Sequence, residues 1–282
     1  MSPSANGQLS WPDLPEQAGE EIDIFETELN RFLDGQMPEK VFLEFRLRHG
    51  VYGQRQDGTQ MLRIKIPLGI LTARHCEVLA DLSQQPLPAG VAIMDPGHLA
   101  REIRLFAEWW PLAAEIDGWA RAWCDAYGPA LAIPSGLALR DFHAGNLMWL
   151  PARSGNGRVG LLDFQDALSA PISYDLVSLL QDARRDVPEE LQAAMIERFV
   201  RGFANLDQDA FRASYAVLGA HRNLRIAGVF SRLAGRDGKR GYLAYLPRVW
   251  RHIDADLRHP ALAPVADWLA RFVPPGERES GR

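Results

Sequence analysis

Asp141 stands five residues before Asn146 in the run Leu139-Arg-Asp-Phe-His-Ala-Gly-Asn-Leu-Met-Trp-Leu150, and Asp163 follows in Gly160-Leu-Leu-Asp-Phe-Gln-Asp-Ala167. A carboxylate in the first position can orient a hydroxyl and accept its proton. An amide and a second carboxylate supply the oxygen ligands that Mg²⁺ takes beneath the phosphates of ATP. Phosphoryl transfer asks little covalent chemistry of a protein; it asks for positioning and charge neutralisation, which these three side chains can provide. An Asp and an Asn at this spacing, taken alone, more often make turn hydrogen bonds. The segments around them give the pair its weight.

Leu147 to Leu150 is an apolar run, Pro151 to Gly157 is turn-rich, and an apolar run resumes through Val159, Leu161 and Leu162. Two such runs around a Gly/Asn/Ser/Pro cluster predict a β-hairpin, which would bring Asn146 and Asp163 to one ion. The surrounding chain reads as helical. Asp95-Pro96 predicts an N-cap and first turn, after which Leu99, Ile103, Phe106 and Trp110 share a face. Ile116, Trp119, Trp123 and Tyr127 repeat the pattern. Asp186-Val-Pro-Glu189 reads as a capping-box variant opening a helix that buries Leu191, Met195, Phe199 and Phe203. These aromatic stripes are expected to be core and not ligand platforms.

With the downstream runs Tyr174-Asp-Leu-Val-Ser-Leu-Leu-Gln-Asp-Ala-Arg-Arg-Asp-Val187 and His221-Arg-Asn-Leu-Arg-Ile-Ala-Gly-Val-Phe230, residues from about 86 to 275 resemble the C-terminal lobe of the aminoglycoside phosphotransferase-like kinases. Among these, the chain is most similar to bacterial cell-wall sugar kinases acting on the anomeric hydroxyl of N-acetylmuramate or N-acetylglucosamine. The resemblance implies Asp141 as catalytic base and Asn146 and Asp163 as metal ligands. By the same resemblance Asp175 would buttress the catalytic loop and not touch substrate; Arg140 and His143, by their place inside the loop, are expected to support it, His143 through a hydrogen bond to the loop or substrate. Leu139 stands where many relatives carry His, so the loop's internal hydrogen bonding is expected to differ.

The N-terminal part is less regular. Residues 1–20 read as a loose arm, Ile22 to Phe32 as an amphipathic helix, and Val41 to Gln56 and Thr59 to Pro67 as strands joined at Asp57-Gly58. Thr72 to Leu82 is expected to be helical, and the Pro-rich Gln84 to Gly90 marks a boundary. A kinase of this type needs a glycine-rich cover over the phosphates and a strand lysine. The glycines at 50, 53 and 58 lack the G-x-G-x-x-G spacing, and Lys65, with Arg63 beside it, is the candidate phosphate contact. With Phe45-Arg-Leu-Arg-His-Gly-Val-Tyr-Gly-Gln-Arg-Gln56 and Gln60-Met-Leu-Arg-Ile-Lys-Ile-Pro67, residues from about 20 to 83 also resemble the N-terminal ferredoxin-like half-domain of sirohaem sulfite and nitrite reductases. Cys76 and Cys124 cannot supply the thiolates such a centre requires, so no working reductase is expected.

At 282 residues and 47% hydrophobic content the chain can bury a normal core, and its net charge of −5 gives no footprint for nucleic acid. Arg236, Lys239, Arg240, Arg248 and Arg251, interleaved with Tyr242, Tyr245 and Trp250, form a locally basic stretch, read as a solvated face or a rim attracting an anionic sugar. Gly235 to Lys239 lacks phosphate-loop spacing and reads as a helix–helix turn. No signal peptide or membrane span is apparent and two cysteines give no disulfide framework, so a cytoplasmic protein is expected.

The expected fold is α+β. A small module over 21–83 precedes a mostly helical, protein-kinase-like lobe over 84–275 carrying the hairpin, and 276–282 form a tail. The expected activity is transfer of phosphate from ATP, with Mg²⁺, to a sugar hydroxyl, with the anomeric hydroxyl of an N-acetylhexosamine foremost. The alternatives are a kinase-like binding protein lacking a proper nucleotide lobe and a sirohaem reductase fragment.

Overall fold

The computed structural model describes residues 68–110, 116–149 and 153–278. The N-terminal helix and strands expected before residue 68, with Arg63 and Lys65, lie outside them. The chain divides into two compact units, Met1–His75 with Met148–Gly160 and Cys76–Leu147 with Leu161–Arg282. The division falls inside the first described helix, α1 (Leu68–Ser83), which contains the predicted Thr72–Leu82 segment. In the second unit Cys76, Val78 and Leu79 of α1 are buried, and Glu77 pairs with Arg198. The Pro-rich Gln84–Gly90 follows as an exposed connector.

Helix α2 (Pro96–Trp109) starts as its sequence dictates: the Asp95 side chain accepts from the His98 N–H at 2.6 Å, and Pro96 occupies the first turn, where no donor is needed. Its predicted stripe, Leu99, Ile103, Phe106 and Trp110, is buried. Helix α3 (Ile116–Ala130) buries Trp119, Trp123 and Tyr127. The rings of Phe106, Trp110, Trp119, Trp123, Trp250 and Trp268 pack at centroid separations between 4.6 and 6.1 Å. Offset and edge-to-face pairs of this kind add to their burial, so the aromatic stripes are core.

Two short two-stranded sheets follow. Strand β1 (Ser135–Ala138) pairs antiparallel with β4 (Leu168–Pro171), Ser135 opposite Pro171 and Ala138 opposite Leu168. Strand β2 (Leu147–Trp149) pairs with β3 (Val159–Leu161), the predicted hairpin, with a 3₁₀ turn at Gly155–Arg158 between them. The rest is helical: α4 (Ser173–Leu180), α5 (Glu189–Arg201), α6 (Gln208–Gly235), α7 (Leu246–Asp256), α8 (Ala263–Phe272) and α9 (Pro275–Arg278).

The 28-residue α6 is the central strut. Its start is capped by Asp207, whose carboxylate accepts from the N–H groups of Asp209 and Ala210. At Gly228 it crosses α2 so closely that a Cβ would stand 2.8 Å from the Leu105 carbonyl oxygen, which is why glycine sits there. The α6–α7 connection is the expected turn, with Gly238 at φ +66°.

The capping box at Asp186 is not formed. Helix α5 begins at Glu189 after Pro188 with no side-chain cap, and Met195 and Phe199 are buried as expected. The Asp186 carboxylate is taken instead by Arg248 at 2.6 Å and Arg251 at 2.8 Å. Two guanidinium partners give it charge-assisted bonds stronger than a neutral cap. They hold its carboxyl below the usual carboxylate range, chiefly through the Arg248 hydrogen bonds.

Candidate active site

The loop from Leu139 to Asn146 is wound on itself between β1 and β2. The Asp141 N–H donates to the Leu139 carbonyl at 2.9 Å, the His143 N–H to the Asp141 carbonyl at 2.9 Å, and the Asn146 N–H to the His143 carbonyl at 2.8 Å. His143 Nδ1 accepts from the Gly145 N–H at 3.0 Å, so its ring closes the turn from within. Phe142 is buried and anchors the loop, while the Asp141 side chain is 53% exposed. The loop therefore presents one carboxylate to solvent from a tightly bonded backbone.

Two features fix the loop's base. Asp175, in the first turn of α4, accepts from the N–H groups of Leu139 at 2.5 Å and Arg140 at 2.9 Å. Burial pushes its carboxyl up to about 7, while the two backbone donors and Arg222 work in the opposite direction. Arg140 has φ +71°, a left-handed conformation that disfavours any side chain with a Cβ. Its guanidinium is held by Glu102 of α2, which also lies 3.5 Å from Arg225 of α6 and 3.5 Å from His98. Burial alone would raise the Glu102 carboxyl, but Arg225, His221, Arg140 and His98 together bring it below its ordinary value. The strained residue beside Asp141 is thus tied to the helical core by an ionised carboxylate.

The two candidate metal ligands are brought together as the hairpin predicted. The Leu162 N–H donates to the Asn146 carbonyl at 2.9 Å, which sets Asp163 beside Asn146. The Asn146 side-chain nitrogen donates to the Asp141 carbonyl at 3.0 Å, leaving its oxygen free of that bond. Asp163 is exposed, with φ +59°, and one of its carboxylate oxygens accepts from Gln165 at 2.6 Å. Among the described residues no three His, Cys, Asp or Glu side chains gather into a metal site. One amide oxygen and one carboxylate suit Mg²⁺, which keeps few protein ligands and completes its shell with water and phosphate oxygens.

Three charged residues not singled out from sequence also surround the loop. Arg222 of α6 is buried and its guanidinium lies 3.9 Å from the Asp141 carboxylate. Asp182, also buried, accepts from the Arg184 N–H at 2.8 Å. Burial lowers the His143 pKa; Asp182 and Asp141 oppose that, while Arg222 and Arg184 add to it. Arg222 lay in view within His221-Arg-Asn-Leu-Arg, but nothing local ties it to a loop some eighty positions earlier. Lys65 and Arg63 cannot be placed, being outside the described residues. Cys76 and Cys124 are both free thiols, the first buried and the second exposed. No helix among the described residues is long and apolar enough to cross a membrane.

Residues 51–215 match the family model of the phosphotransferase enzyme family, a span that begins upstream of the Pro-rich break. The chain is 42% identical over 177 residues to the N-acetylmuramate/N-acetylglucosamine kinase of Caulobacter vibrioides, covering 60% of this chain and 49% of that protein. It is 37% identical over 203 residues to the protein of the same name from Neisseria meningitidis, covering 66% and 59%. The chain thus spans about half of these curated relatives' length. A choline/ethanolamine kinase family protein from Mesorhizobium loti overlays with a TM-score of 0.48 at 14% identity, over 76% of this chain and 74% of that one. With the family model matching more than half its length, the chain belongs to the phosphotransferase enzyme family.

Proposed function

We propose that the protein transfers the γ-phosphate of ATP to the anomeric hydroxyl of an N-acetylhexosamine, N-acetylmuramate or N-acetylglucosamine. The observation that carries this reading is the loop from Asp141 to Asn146. It exposes one carboxylate and bonds the Asn146 side-chain nitrogen to its own backbone, which leaves the amide oxygen free of that bond, while the main chain of Asn146 pairs with Leu162 beside Asp163. The names of the relatives point to the two sugars.

In this mechanism Asp141 orients the sugar hydroxyl and takes its proton as the bond from the hydroxyl oxygen to the γ-phosphorus forms and the bond from that phosphorus to the bridging oxygen breaks, releasing ADP. Asn146 and Asp163 would hold Mg²⁺, which supplies the positive charge that neutralises the phosphates. Asp175 and the Glu102–Arg140 pair keep Asp141 in one place, so that little reorganisation accompanies the reaction. Arg222, buried and 3.9 Å from the Asp141 carboxylate, places a positive charge beside the group that meets the hydroxyl. The direct test is incubation of the chain with ATP, Mg²⁺ and each sugar. Formation of a sugar 1-phosphate from either sugar is expected. Release of ADP without a phosphorylated sugar, or no reaction with either, would refute the assignment.

A further inference from the structure

Arg184, Lys239, Gly241, Tyr242 and Tyr245 line an open pocket of about 360 Å³. The structure sorts the basic stretch seen in the sequence into residues that are occupied and residues that are not. Arg236 pairs with its neighbour Asp237 at 2.6 Å, and Arg248 and Arg251 both serve Asp186. Trp250 is buried under Arg278, whose guanidinium lies 4.7 Å from its ring. Lys239 is exposed and faces the pocket together with Arg184, and among the described residues neither makes an ion pair. Asp237, the acid near Lys239, is already held by Arg236.

Packed aromatic rings form the pocket's other wall. Tyr242 and Tyr245 stand edge to face at 6.4 Å and pack on Phe230 at 5.3 and 5.9 Å, half-buried. Two cations that make no ion pair among the described residues, set beside packed aromatic surface, suit a carboxylate carried on a small, partly apolar body. Arg184 links this pocket to the catalytic loop. Its N–H is fixed by the buried Asp182, directly after α4, the helix whose first turn carries Asp175. Asp175 in turn holds the main chain of Leu139 and Arg140, so α4 joins the segment that lines the pocket to the base of the catalytic loop. With Asp182, Arg222 and Asp141, Arg184 is one of the charged groups acting on His143.

We propose that this pocket is an anion subsite for the lactyl carboxylate of N-acetylmuramate, with Arg184 and Lys239 pairing the carboxylate and the two tyrosines flanking the ether arm. The inference rests on the sugar-kinase reading above and deepens it. N-acetylglucosamine carries no carboxylate and leaves both cations to water, so the subsite discriminates between the two sugars and leaves the reacting hydroxyl unchanged.

The test is calorimetric binding of N-acetylmuramate and of N-acetylglucosamine to the parent, Arg184→Glu, Lys239→Glu and Arg184→Lys, at low and high salt. The parent is expected to bind N-acetylmuramate about tenfold more tightly than N-acetylglucosamine, the scale of one charge-assisted hydrogen bond, with the preference shrinking as salt rises. Each charge reversal is expected to lower the ratio of the two affinities by about tenfold, and Arg184→Lys to keep most of it. Equal affinities in the parent, no detectable binding of N-acetylmuramate, or a ratio unmoved by both reversals would overturn the subsite. Phosphorylation is scored separately. A parent that phosphorylates N-acetylglucosamine but shows no preference refutes the subsite and keeps the kinase reading. A parent with the predicted ratios that phosphorylates neither sugar does the reverse.

Discussion

The side-chain nitrogen of Asn146 donates to the main-chain carbonyl of Asp141 at 3.0 Å, so the candidate metal ligand and the candidate base are braced by one bond. An amide can serve both purposes because its two ends differ: the nitrogen donates to the loop and the oxygen remains for a cation. A carboxylate in its place would have no proton to give the Asp141 carbonyl. Asn146→Asp is therefore expected to loosen the loop even while it adds charge. The variant should lose at least about tenfold in turnover, with nucleotide affinity less affected. Turnover equal to that of the parent would show that the brace is dispensable.

Asp163→Asn removes the carboxylate of the second candidate metal ligand. Affinity for Mg²⁺-nucleotide should fall by about tenfold or more, the scale on which losing groups that hold or orient a metal is felt. Titrations at several Mg²⁺ concentrations separate this from a fold defect, since affinity for nucleotide without metal should change little. Equal Mg²⁺ dependence in parent and variant would remove Asp163 from the metal site.

Glu102 offers a test of positioning at a distance from the reacting atoms. Its carboxylate holds Arg140, the left-handed residue next to Asp141. Glu102→Gln keeps the shape and removes the charge, leaving its ion-pair partners Arg140, Arg225 and His98 facing a neutral amide. Stability should drop by about 1–3 kcal/mol, the cost of leaving partly buried charged groups without their partner. Turnover should fall while the Michaelis constant for the sugar moves little. A variant that loses stability with turnover intact would make Glu102 a purely structural residue.

The sequence was informative where the chemistry is local. The Asp141 to Asn146 spacing, the hairpin that carries Asp163 to Asn146 and the aromatic stripes of α2 and α3 all depend on neighbours within a few turns. Less was legible where a side chain's partner lies far along the chain. Asp175 meets residues 35 and 36 positions earlier, and Arg140 meets Glu102 across 38. Asp186 has the spacing of a cap, yet Arg248 and Arg251, 62 and 65 positions on, take its carboxylate. Local spacing describes what a residue can do; which option it takes is settled by the charges that the fold brings near.

His221 gives a pH signature. It is fully buried on α6, one ring nitrogen 2.9 Å from the Leu99 carbonyl, and burial holds its pKa down at about 4. The unfolded chain therefore takes up its proton at higher pH than the folded one, so this group costs stability as pH falls from about 6.5 towards 4. The cost approaches about 1.4 kcal/mol per pH unit within that window. His252, lowered to about 4 by burial and by Arg251, contributes in the same direction. His221→Phe removes one share. Its stability deficit relative to the parent, measured by urea unfolding, should shrink between pH 6.5 and pH 4.5. A deficit constant across that range would contradict the assignment.

Asp141 is proposed above as the group that takes the proton from a sugar hydroxyl. The most direct measurement compares phosphate transfer from ATP to N-acetylmuramate by the parent and by Asp141→Asn, alongside Mg²⁺-ATP binding to both. The expected result is sugar 1-phosphate from the parent, a rate reduced on the order of 10²–10⁴ in the variant, and nearly equal nucleotide affinity. A variant that keeps most of the parent's rate, with the same product, would contradict it.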